Sequence, residues 1–315
     1  MKHRTICIEN PSYLSLNNGQ MVIKRPIADG TNEVAATIPV EDINILVLDN
    51  KHITITQGLL DALTTENVTV VTCNSSHLPC GLLLPLSGNT LQSERYREQL
   101  NASLPLKKQL WQQTVVAKIE NQAALLHTIT GKQQGNMLAW AKEVKSGDST
   151  NMEGRAAAYY WKTIFEGKIE SFVRNREGLS PNDLLNYGYS IIRAQVARSL
   201  VACGLMPTLG LHHQNRYNAY CLADDIMEPY RPYVDRIVAK WVNQSPFLAT
   251  VNKQTKADML MLDKTDVIID GHRSPLHVAI STTTSSLQKC FAGEIRKIIY
   301  PELEVNEDII YDLPF

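Results

Sequence analysis

The local sequence pattern changes near residue 87, and this change constrains the fold more than any other feature. Before it, short segments alternate or are rich in β-branched residues, which is typical of strands. The predicted strands are 4–9, 13–16, 21–24, 43–48, 53–55 and 68–72. Asn17-Asn18-Gly19 predicts a hairpin turn between the second and third strands. One short helix is predicted at 58–66, and segment 79–89, with two prolines and two glycines, is interpreted as a connector.

Beyond the connector the hydrophobic period becomes helical. The predicted helices are 92–100, 107–129, 136–145, 153–173, 182–203 and 236–242. No internal repeat or low-complexity tract interrupts them. The sequence therefore predicts an α+β multidomain protein. We place an N-terminal β domain at 1–86, a larger all-α domain at 87–290 and a C-terminal tail at 291–315.

Composition excludes several classes of protein. Hydrophobic residues make up 44% of the chain, which is enough for a packed core. No apolar run approaches the roughly 18 residues that a membrane helix needs, and the N-terminus has no apolar signal-peptide segment. The six cysteines are scattered, which favours reduced thiols, so we expect a cytoplasmic protein without membrane contact. The net charge of −1 gives no indication of nucleic-acid binding, which would have to depend on local patches.

Familiar catalytic motifs are missing from the sequence. It contains no GxxxxGK[ST] phosphate loop, no GxGxxG turn, no GxSxG elbow and no HExxH helix. Nucleotide hydrolysis, dinucleotide redox chemistry and serine acyl transfer therefore lack their usual motifs. Carboxylates and histidines remain as the candidate groups.

The first candidate segment, 204–232, combines tandem histidines with a cluster of acids. His212 and His213 precede Asp224, Asp225 and Glu228 by about a dozen residues. Asp225 and Glu228 would share one face of a helix. Because Pro229 disfavours helical geometry in the residue before it, we expect Glu228 at a helix end, and Pro232 could open the next helix.

Other interpretations of this segment remain open. The acids could form a solvated face, since exposed carboxylates are common. His213 could be an ordinary packed or surface histidine. His212 and His213 could also form a zinc site with Cys203 and Cys221, although their spacing is not a usual zinc pattern.

The second candidate segment begins at Glu153 and continues as a basic and aromatic stretch. Glu153 follows Thr150 by three residues, so a capping box is one explanation of this glutamate. Three alanines at 156–158 would let another helix or a substrate approach the backbone. Basic side chains surround an aromatic triplet, Tyr159–Trp161, and are Arg155, Lys162, Lys168, Arg174 and Arg176. This combination suits a nucleic-acid surface, and the alternative is an amphipathic helix with aromatic residues in the core.

These motifs together resemble a known family, the CRISPR-associated integrase that is protein one of the CRISPR adaptation machinery. The resemblance rests on E-G-x-A-A at Glu153, LNYGYSIIRAQVARSLVACGLMP at 185–207, GLHH at 210–213 and LADDIMEPYRP at 222–232. It extends from the first strand to about residue 290. The segment LWQQTVVAKIENQAALL at 110–126 is most similar to the type II subtype, found beside a single large RNA-guided effector nuclease.

The resemblance implies a set of site residues. The metal-binding glutamate of the family matches Glu153, its histidine matches His213, and its third, acidic ligand matches Glu228. Asp225 matches a position that is often acidic and functional, and His212 is a neighbour without an assigned role. Two carboxylates and an imidazole favour Mg²⁺ or Mn²⁺ over zinc.

The resemblance also implies an architecture, partners and a reaction. The expected fold is a β-sandwich-like domain followed by a helical catalytic domain, assembled as a homodimer. A dimer of protein two of the same machinery would bridge two such homodimers. The expected substrates are double-stranded and partly single-stranded DNA, and the 3′-hydroxyl of a spacer attacks a phosphodiester at the repeat edge. The alternatives are a non-catalytic DNA-binding scaffold and a metallohydrolase of small phosphoesters.

Overall fold

A computed structural model of the chain describes residues 4–27, 30–175 and 178–305. The chain divides into two compact units, Met1–Thr90 and Leu91–Phe315. Arg176 and the end of the predicted tail, 306–315, lie outside the described residues. Within those described ranges, none of the helices combines the length and apolar character required to cross a bilayer.

The N-terminal unit is built from two four-stranded sheets and one helix. The first sheet has the order β1-β5-β7-β8, with β1, β5 and β7 parallel; the second has the order β4-β3-β2-β6. The strands are β1 (Arg4–Ile8), β2 (Ser12–Asn17), β3 (Gln20–Pro26), β4 (Asn32–Pro39), β5 (Ile43–Leu48), β6 (Ile53–Ile55), β7 (Thr69–Cys73) and β8 (Pro79–Leu83). Helix α1 (Gln57–Thr65) lies between β6 and β7.

A shared core joins the two sheets of this unit. Leu14 and Met21 from one sheet pack in the same buried cluster as Leu46 from the other and Leu59 from α1. The hairpin between β2 and β3 turns at Asn18 and Gly19, which both have positive φ, as the Asn-Gly pair predicts. This arrangement of two sheets around one core agrees with the expected sandwich-like domain.

Two strands of this unit were not predicted. In β4 most side chains are exposed, so its sequence has no buried alternation to indicate a strand. Strand β8 lies inside the predicted connector and pairs antiparallel with β7. Its prolines and glycines made the segment resemble a loop, yet its place beside β7 allows it to pair.

The C-terminal unit is mainly helical. Its helices are α2 (Gln92–Asn101), α3 (Leu104–Thr130), α4 (Gly135–Glu143), α5 (Met152–Thr163), α6 (Asn182–Ala202), α7 (Cys221–Met227), α8 (Arg231–Gln244), α9 (Lys253–Leu260) and α10 (Leu276–Phe291). The long helices α3 and α6 form its centre, since most of α6 is buried. The α+β class, with a strand-rich first part and a helical second part, is confirmed.

The predicted all-α character of this unit needs one correction. Three short strands, β9 (Asp266–Ile269), β10 (His272–Pro275) and β11 (Pro301–Glu302), form a sheet of order β10-β9-β11. Asp270-Gly271 makes the tight turn between β9 and β10, and both residues have positive φ. Strand β11 shows that part of the predicted tail pairs with this unit.

Helix α5 is shorter than predicted. The expected helix 153–173 ends at Thr163, and a series of turns follows it. Glu228 caps the C-terminus of α7, as Pro229 indicated, and Pro232 lies in the first turn of α8.

Candidate active site

Glu153 is held in the first turn of α5 by a dense set of caps. The N-cap is Asn151, whose side chain accepts a hydrogen bond from the backbone N–H of Gly154 at 3.2 Å. The carboxylate of Asp148 accepts from the N–H groups of Met152 and Glu153 at 2.8 and 3.0 Å. The capping box with Thr150 is therefore not the role of Glu153, whose carboxylate instead accepts a hydrogen bond from Lys118.

His213 lies in a loop that folds around a buried carboxylate. Asp225 is fully buried in α7, and its Oδ2 accepts hydrogen bonds from the N–H groups of Leu211 and His212 at 2.6 and 2.9 Å. Its Oδ1 contacts Nδ1 of His213. Gly210 is required here because a Cβ would lie 2.3 Å from the carbonyl oxygen of His213 and 2.9 Å from Oδ2 of Asp225.

This contact determines the charge properties of the imidazole. The hydrogen bond with Asp225 raises the pKa of His213, and partial burial opposes the shift. The negative charges of Glu228 and Glu153 also raise the pKa of His213, so the three predicted ligands share one electrostatic environment. Because Nδ1 faces Asp225, Nε2 is the nitrogen left for another partner.

Glu228 is buried at the junction of α7 and α8. Its Oε1 forms an ion pair with Nη2 of Arg231 at 2.9 Å, and its Oε2 lies 2.7 Å from Nζ of Lys118. Burial alone would raise the pKa of Glu228, but the positive charges of Arg231 and Lys118 outweigh it and lower that pKa. Oε2 is buried, and the Lys118 ammonium is its ion-pair partner.

Lys118 connects the two glutamates and was not predicted as a site residue. Its Nζ lies 2.6 Å from Oε1 of Glu153 and 2.7 Å from Oε2 of Glu228. Burial alone would lower the pKa of Lys118, but the carboxylates of Glu228 and Glu153 reverse the shift and raise it. The ammonium group of Lys118 therefore bridges the carboxylate at the start of α5 and the carboxylate at the end of α7.

Helix α3 contributes a second residue to the site, one that sequence reasoning also missed. The buried indole of Trp111 stacks on His212 with 4.5 Å between ring centroids, and meets His213 edge-on at 5.6 Å. Trp111 precedes Lys118 by seven residues, which places both on one face of α3. His212 thus packs against α3 beside the proposed ligand.

The residues present fit the Mg²⁺ or Mn²⁺ that the resemblance implies. Glu153 and Glu228 already surround a positive charge, and both carboxylates are largely withdrawn from solvent. His213 has its Nδ1 engaged by Asp225. Two carboxylates and one imidazole are a hard, oxygen-rich ligand set.

The same three residues do not form a tight cluster in this structure. Across 4–27, 30–175 and 178–305, the only trio of potential ligands with atoms within 4.8 Å of one another is Cys7, Glu9 and Asp49, in the N-terminal unit. The zinc alternative is not formed either. Cys203 contacts Thr284, and Cys221 donates to backbone carbonyls.

The basic and aromatic stretch of α5 divides between core and surface. Tyr160 is buried and donates a hydrogen bond to Asp235 at 2.7 Å, as the core interpretation requires. Arg155 and Lys162 are exposed, and Arg155 lies over the ring of Trp140 at 4.6 Å. Trp161 and Lys162 help to line a cavity of about 580 Å³ that Ala157 and Ala158 also border. The small alanines therefore leave open space beside basic side chains.

Comparison with known proteins decides the family. The profile of the family described as "CRISPR associated protein Cas1" matches residues 6–267. The CRISPR-associated endonuclease Cas1 of Neisseria meningitidis serogroup C is 37% identical over 294 residues, which cover 91% of this chain and 92% of that protein. The chain belongs to the Cas1 family. The resemblance drawn from the sequence motifs is confirmed.

Solved structures share this Cas1 fold at lower identity. A casposase bound to integration product matches with a TM-score of 0.76 and 19% identity, over 97% of this chain and 95% of that one. A chain of a Cas6-RT-Cas1–Cas2 complex matches with a TM-score of 0.72 and 17% identity, over 98% of this chain and 36% of that one. These likenesses extend the Cas1 fold to both units of the chain.

Proposed function

We propose that this Cas1-family protein is a metal-dependent DNA integrase and endonuclease of CRISPR adaptation. In the proposed reaction, the 3′-hydroxyl of a spacer DNA attacks a phosphodiester at the edge of a repeat. The new phosphodiester joins the spacer to the repeat strand, and the bond to the 3′-oxygen of the flanking strand breaks, so that this oxygen leaves as a hydroxyl. The observation that carries the proposal is the pair Glu153 and Glu228, which surround one positive charge beside His213. With water as the nucleophile, the same site would cut DNA.

Each side chain has a defined task in this proposal. A bound Mg²⁺ or Mn²⁺ ion would supply a Lewis acid that activates the attacking hydroxyl and neutralises charge on the phosphate. Glu153, His213 and Glu228 would hold it. Asp225 orients the imidazole by engaging Nδ1 and fixes the loop through the N–H groups of residues 211 and 212. Arg231 keeps Glu228 ionised and in place.

DNA binding is supported by the surface that continues from Glu153 along α5. Arg155 and Lys162 offer positive charge to phosphates, and Trp161 lines the adjoining cavity beside them. The casposase of similar fold was solved bound to integration product. We propose double-stranded and partly single-stranded DNA as the substrates.

The proposed assembly is a homodimer, with a dimer of CRISPR-associated protein two bridging two such homodimers. A similar chain occurs in a Cas6-RT-Cas1–Cas2 complex, which supports a partner of this kind. The type II subtype indicated by residues 110–126 also remains a prediction.

An integration assay tests the proposal. Purified protein and its partner are incubated with labelled spacer duplex and a repeat-containing plasmid, with Mg²⁺, Mn²⁺ or EDTA. We expect joined product with either metal and none with EDTA. DNA binding without joining under all conditions would instead favour the non-catalytic scaffold. Cleavage of a small phosphoester that duplex DNA does not inhibit would favour the metallohydrolase.

A further inference from the structure

Lys118 occupies an unusual position for a buried lysine. Its side chain is only 11% exposed, and its ammonium lies within 2.7 Å of one oxygen from each of two glutamates. Glu153 begins α5 and Glu228 ends α7, so the ammonium is the point at which these two ends meet. Lys118 therefore forms ion pairs with two largely buried carboxylates at once.

We propose that Lys118 is a tethered counter-cation that competes with the divalent ion for Glu153 and Glu228, so that metal binding displaces its ammonium. The inference rests on the proposed function, because it takes these two glutamates as the metal ligands. It adds a regulatory task for a residue on α3.

The distances require this competition. Carboxylate oxygens hold Mg²⁺ at roughly 2.0–2.1 Å. An ion bound by the same two oxygens would lie on or beside the position of Nζ, which is 2.6 Å from one and 2.7 Å from the other. Two cations at that separation repel each other strongly in a buried site, because little water screens them. The ammonium must therefore move away when the ion binds.

The charges around the pair lead to the same conclusion. In the structure, the two negative charges of Glu153 and Glu228 are balanced by the positive charges of Lys118 and Arg231. A divalent ion would leave an excess of positive charge in this neutral cluster. A phosphodiester brings one negative charge that offsets part of this excess, and the displaced ammonium can pair with it. Metal and DNA should therefore bind cooperatively, with Lys118 as part of the coupling.

Metal titration of the full-length protein tests the competition without measuring activity. Mn²⁺ binding is followed at pH 8 by calorimetry and by the electron paramagnetic resonance signal of the free ion. The variants are Lys118→Met and Lys118→Gln, which both remove the charge, with Lys240→Met as a matched control on an exposed part of α8. We expect about ten-fold to a hundred-fold tighter Mn²⁺ binding by both Lys118 variants, as loss of a charged hydrogen-bonding competitor implies. Lys240→Met should bind like the parent protein.

A second titration tests the coupling. Addition of a short DNA duplex should tighten Mn²⁺ binding more in the parent protein than in Lys118→Met. Equal tightening in both proteins would overturn the part of the inference that assigns the coupling to Lys118.

Failure of this inference can be distinguished from failure of the proposed function. If the Glu153→Gln variant binds Mn²⁺ as tightly as the parent protein does, the proposed metal site itself is wrong. If the Glu153→Gln variant binds Mn²⁺ more weakly than the parent protein, but the Lys118 variants bind it no more tightly, only the role of Lys118 is wrong.

Loss of the ammonium could destabilise the metal-free protein, since two carboxylates would remain together in a buried place. Lys118→Gln is included because its amide can donate to both carboxylates. If a variant unfolds in EDTA, the Mn²⁺ concentration that restores its helical circular dichroism becomes the measurement. Restoration at low Mn²⁺ concentration supports the inference, and no restoration at any concentration contradicts it.

Discussion

At the scale of one residue, replacement of Glu153 by alanine should distinguish strand transfer from DNA binding. We expect strand transfer to be abolished, because loss of a metal-binding carboxylate removes several kcal/mol of transition-state stabilisation. DNA affinity should persist, since it depends mainly on basic side chains elsewhere. The melting temperature should change little, because Asp148 and Asn151 cap the helix and Glu228 still pairs with the ammonium of Lys118.

Strand-transfer rate, gel-shift affinity and melting temperature are measured on one preparation of this variant. Glu143→Ala, at an exposed position in α4, is the control and should behave like the parent protein. Unimpaired strand transfer by Glu153→Ala would remove this residue from the site and undercut the functional proposal.

The sequence predicted the candidate ligands and Asp225, which engages His213, but it did not predict Lys118. Glu153, His213 and Glu228 could be named because each lies in a long motif of the family. Arg231 pairs with Glu228 only three residues earlier in the same motif, whereas Lys118 acts through a tertiary contact and is 35 residues from Glu153 in the chain. One signal was available, since the quoted segment 110–126 places a lysine seven residues after a tryptophan on a largely apolar helix. Periodicity alone does not show that this face meets two carboxylates.

At the scale of elements, Gly188 controls how closely α6 approaches its neighbours. A Cβ at this position would lie 2.4 Å from Cγ1 of Val234 on α8 and 2.8 Å from Sδ of Met259 on α9. We expect Gly188→Ala to lower the free energy of unfolding by about 1–3 kcal/mol, as overpacking does. Chemical denaturation followed by circular dichroism measures it.

A control distinguishes packing from helix propensity. Replacement of glycine by alanine within a helix ordinarily increases the free energy of unfolding by up to about 1 kcal/mol. Gly58→Ala, in α1 with no atom within 4 Å of the added Cβ, should show this ordinary effect. A similar gain in stability for Gly188→Ala would refute close packing of α6 at this position.

Asp235 links three helices and should make stability depend on pH. Its carboxylate accepts hydrogen bonds from Tyr160 on α5 at 2.7 Å and from Tyr189 on α6 at 2.5 Å. Burial raises the pKa of Asp235 to about 6, although both hydrogen bonds oppose the shift. Because the folded state keeps this proton to higher pH than the unfolded state, the contribution of Asp235 to stability falls as pH rises from about 4 to 6.

Asp235→Asn removes this titration. We expect the difference in unfolding free energy, parent minus variant, to decrease by roughly 3 kcal/mol between pH 4 and pH 7. Denaturation curves across this range measure it, with Asp61→Asn at an exposed position of α1 as the control. A difference that stays constant or increases with pH would contradict the raised pKa.

Most elements could be predicted where apolar and β-branched residues form a continuous run or a helical period, as in the almost fully buried strand β5. Strands β5 and β6 begin and end at the predicted residues, and α6 ends one residue early. Strand β4 could not be found because its face is exposed, and α5 ends early because the aromatic residues after Thr163 pack in turns rather than a helix. The ring centroids of Phe165 and Phe172 lie 4.8 Å apart in that region. The spacing of apolar residues in the sequence does not distinguish such packed turns from a helix.

At the scale of the whole molecule, the exposed edge of the second β-sheet indicates how two copies would associate. Strand β4 lies at the end of the sheet order β4-β3-β2-β6, and its Val34 is 52% exposed. An edge strand presents backbone groups that another chain can pair with, and symmetric pairing covers them in both copies. A β-bulge between β3 and β4 near Lys24 alters the register of this edge but leaves residues 32–37 exposed.

We therefore expect a homodimer in which the N-terminal unit supplies much of the contact. Light scattering coupled to size-exclusion chromatography at micromolar concentration should give twice the chain mass of 35.3 kDa. Val34→Lys should shift the protein toward monomer, because it places a charge on the apolar edge. Phe247→Lys, at a 90% exposed position in the other unit, is the matched control and should leave the dimer intact. A strictly monomeric parent protein would contradict the homodimer. A Val34→Lys protein that remains fully dimeric would show that β4 does not form the dimer interface.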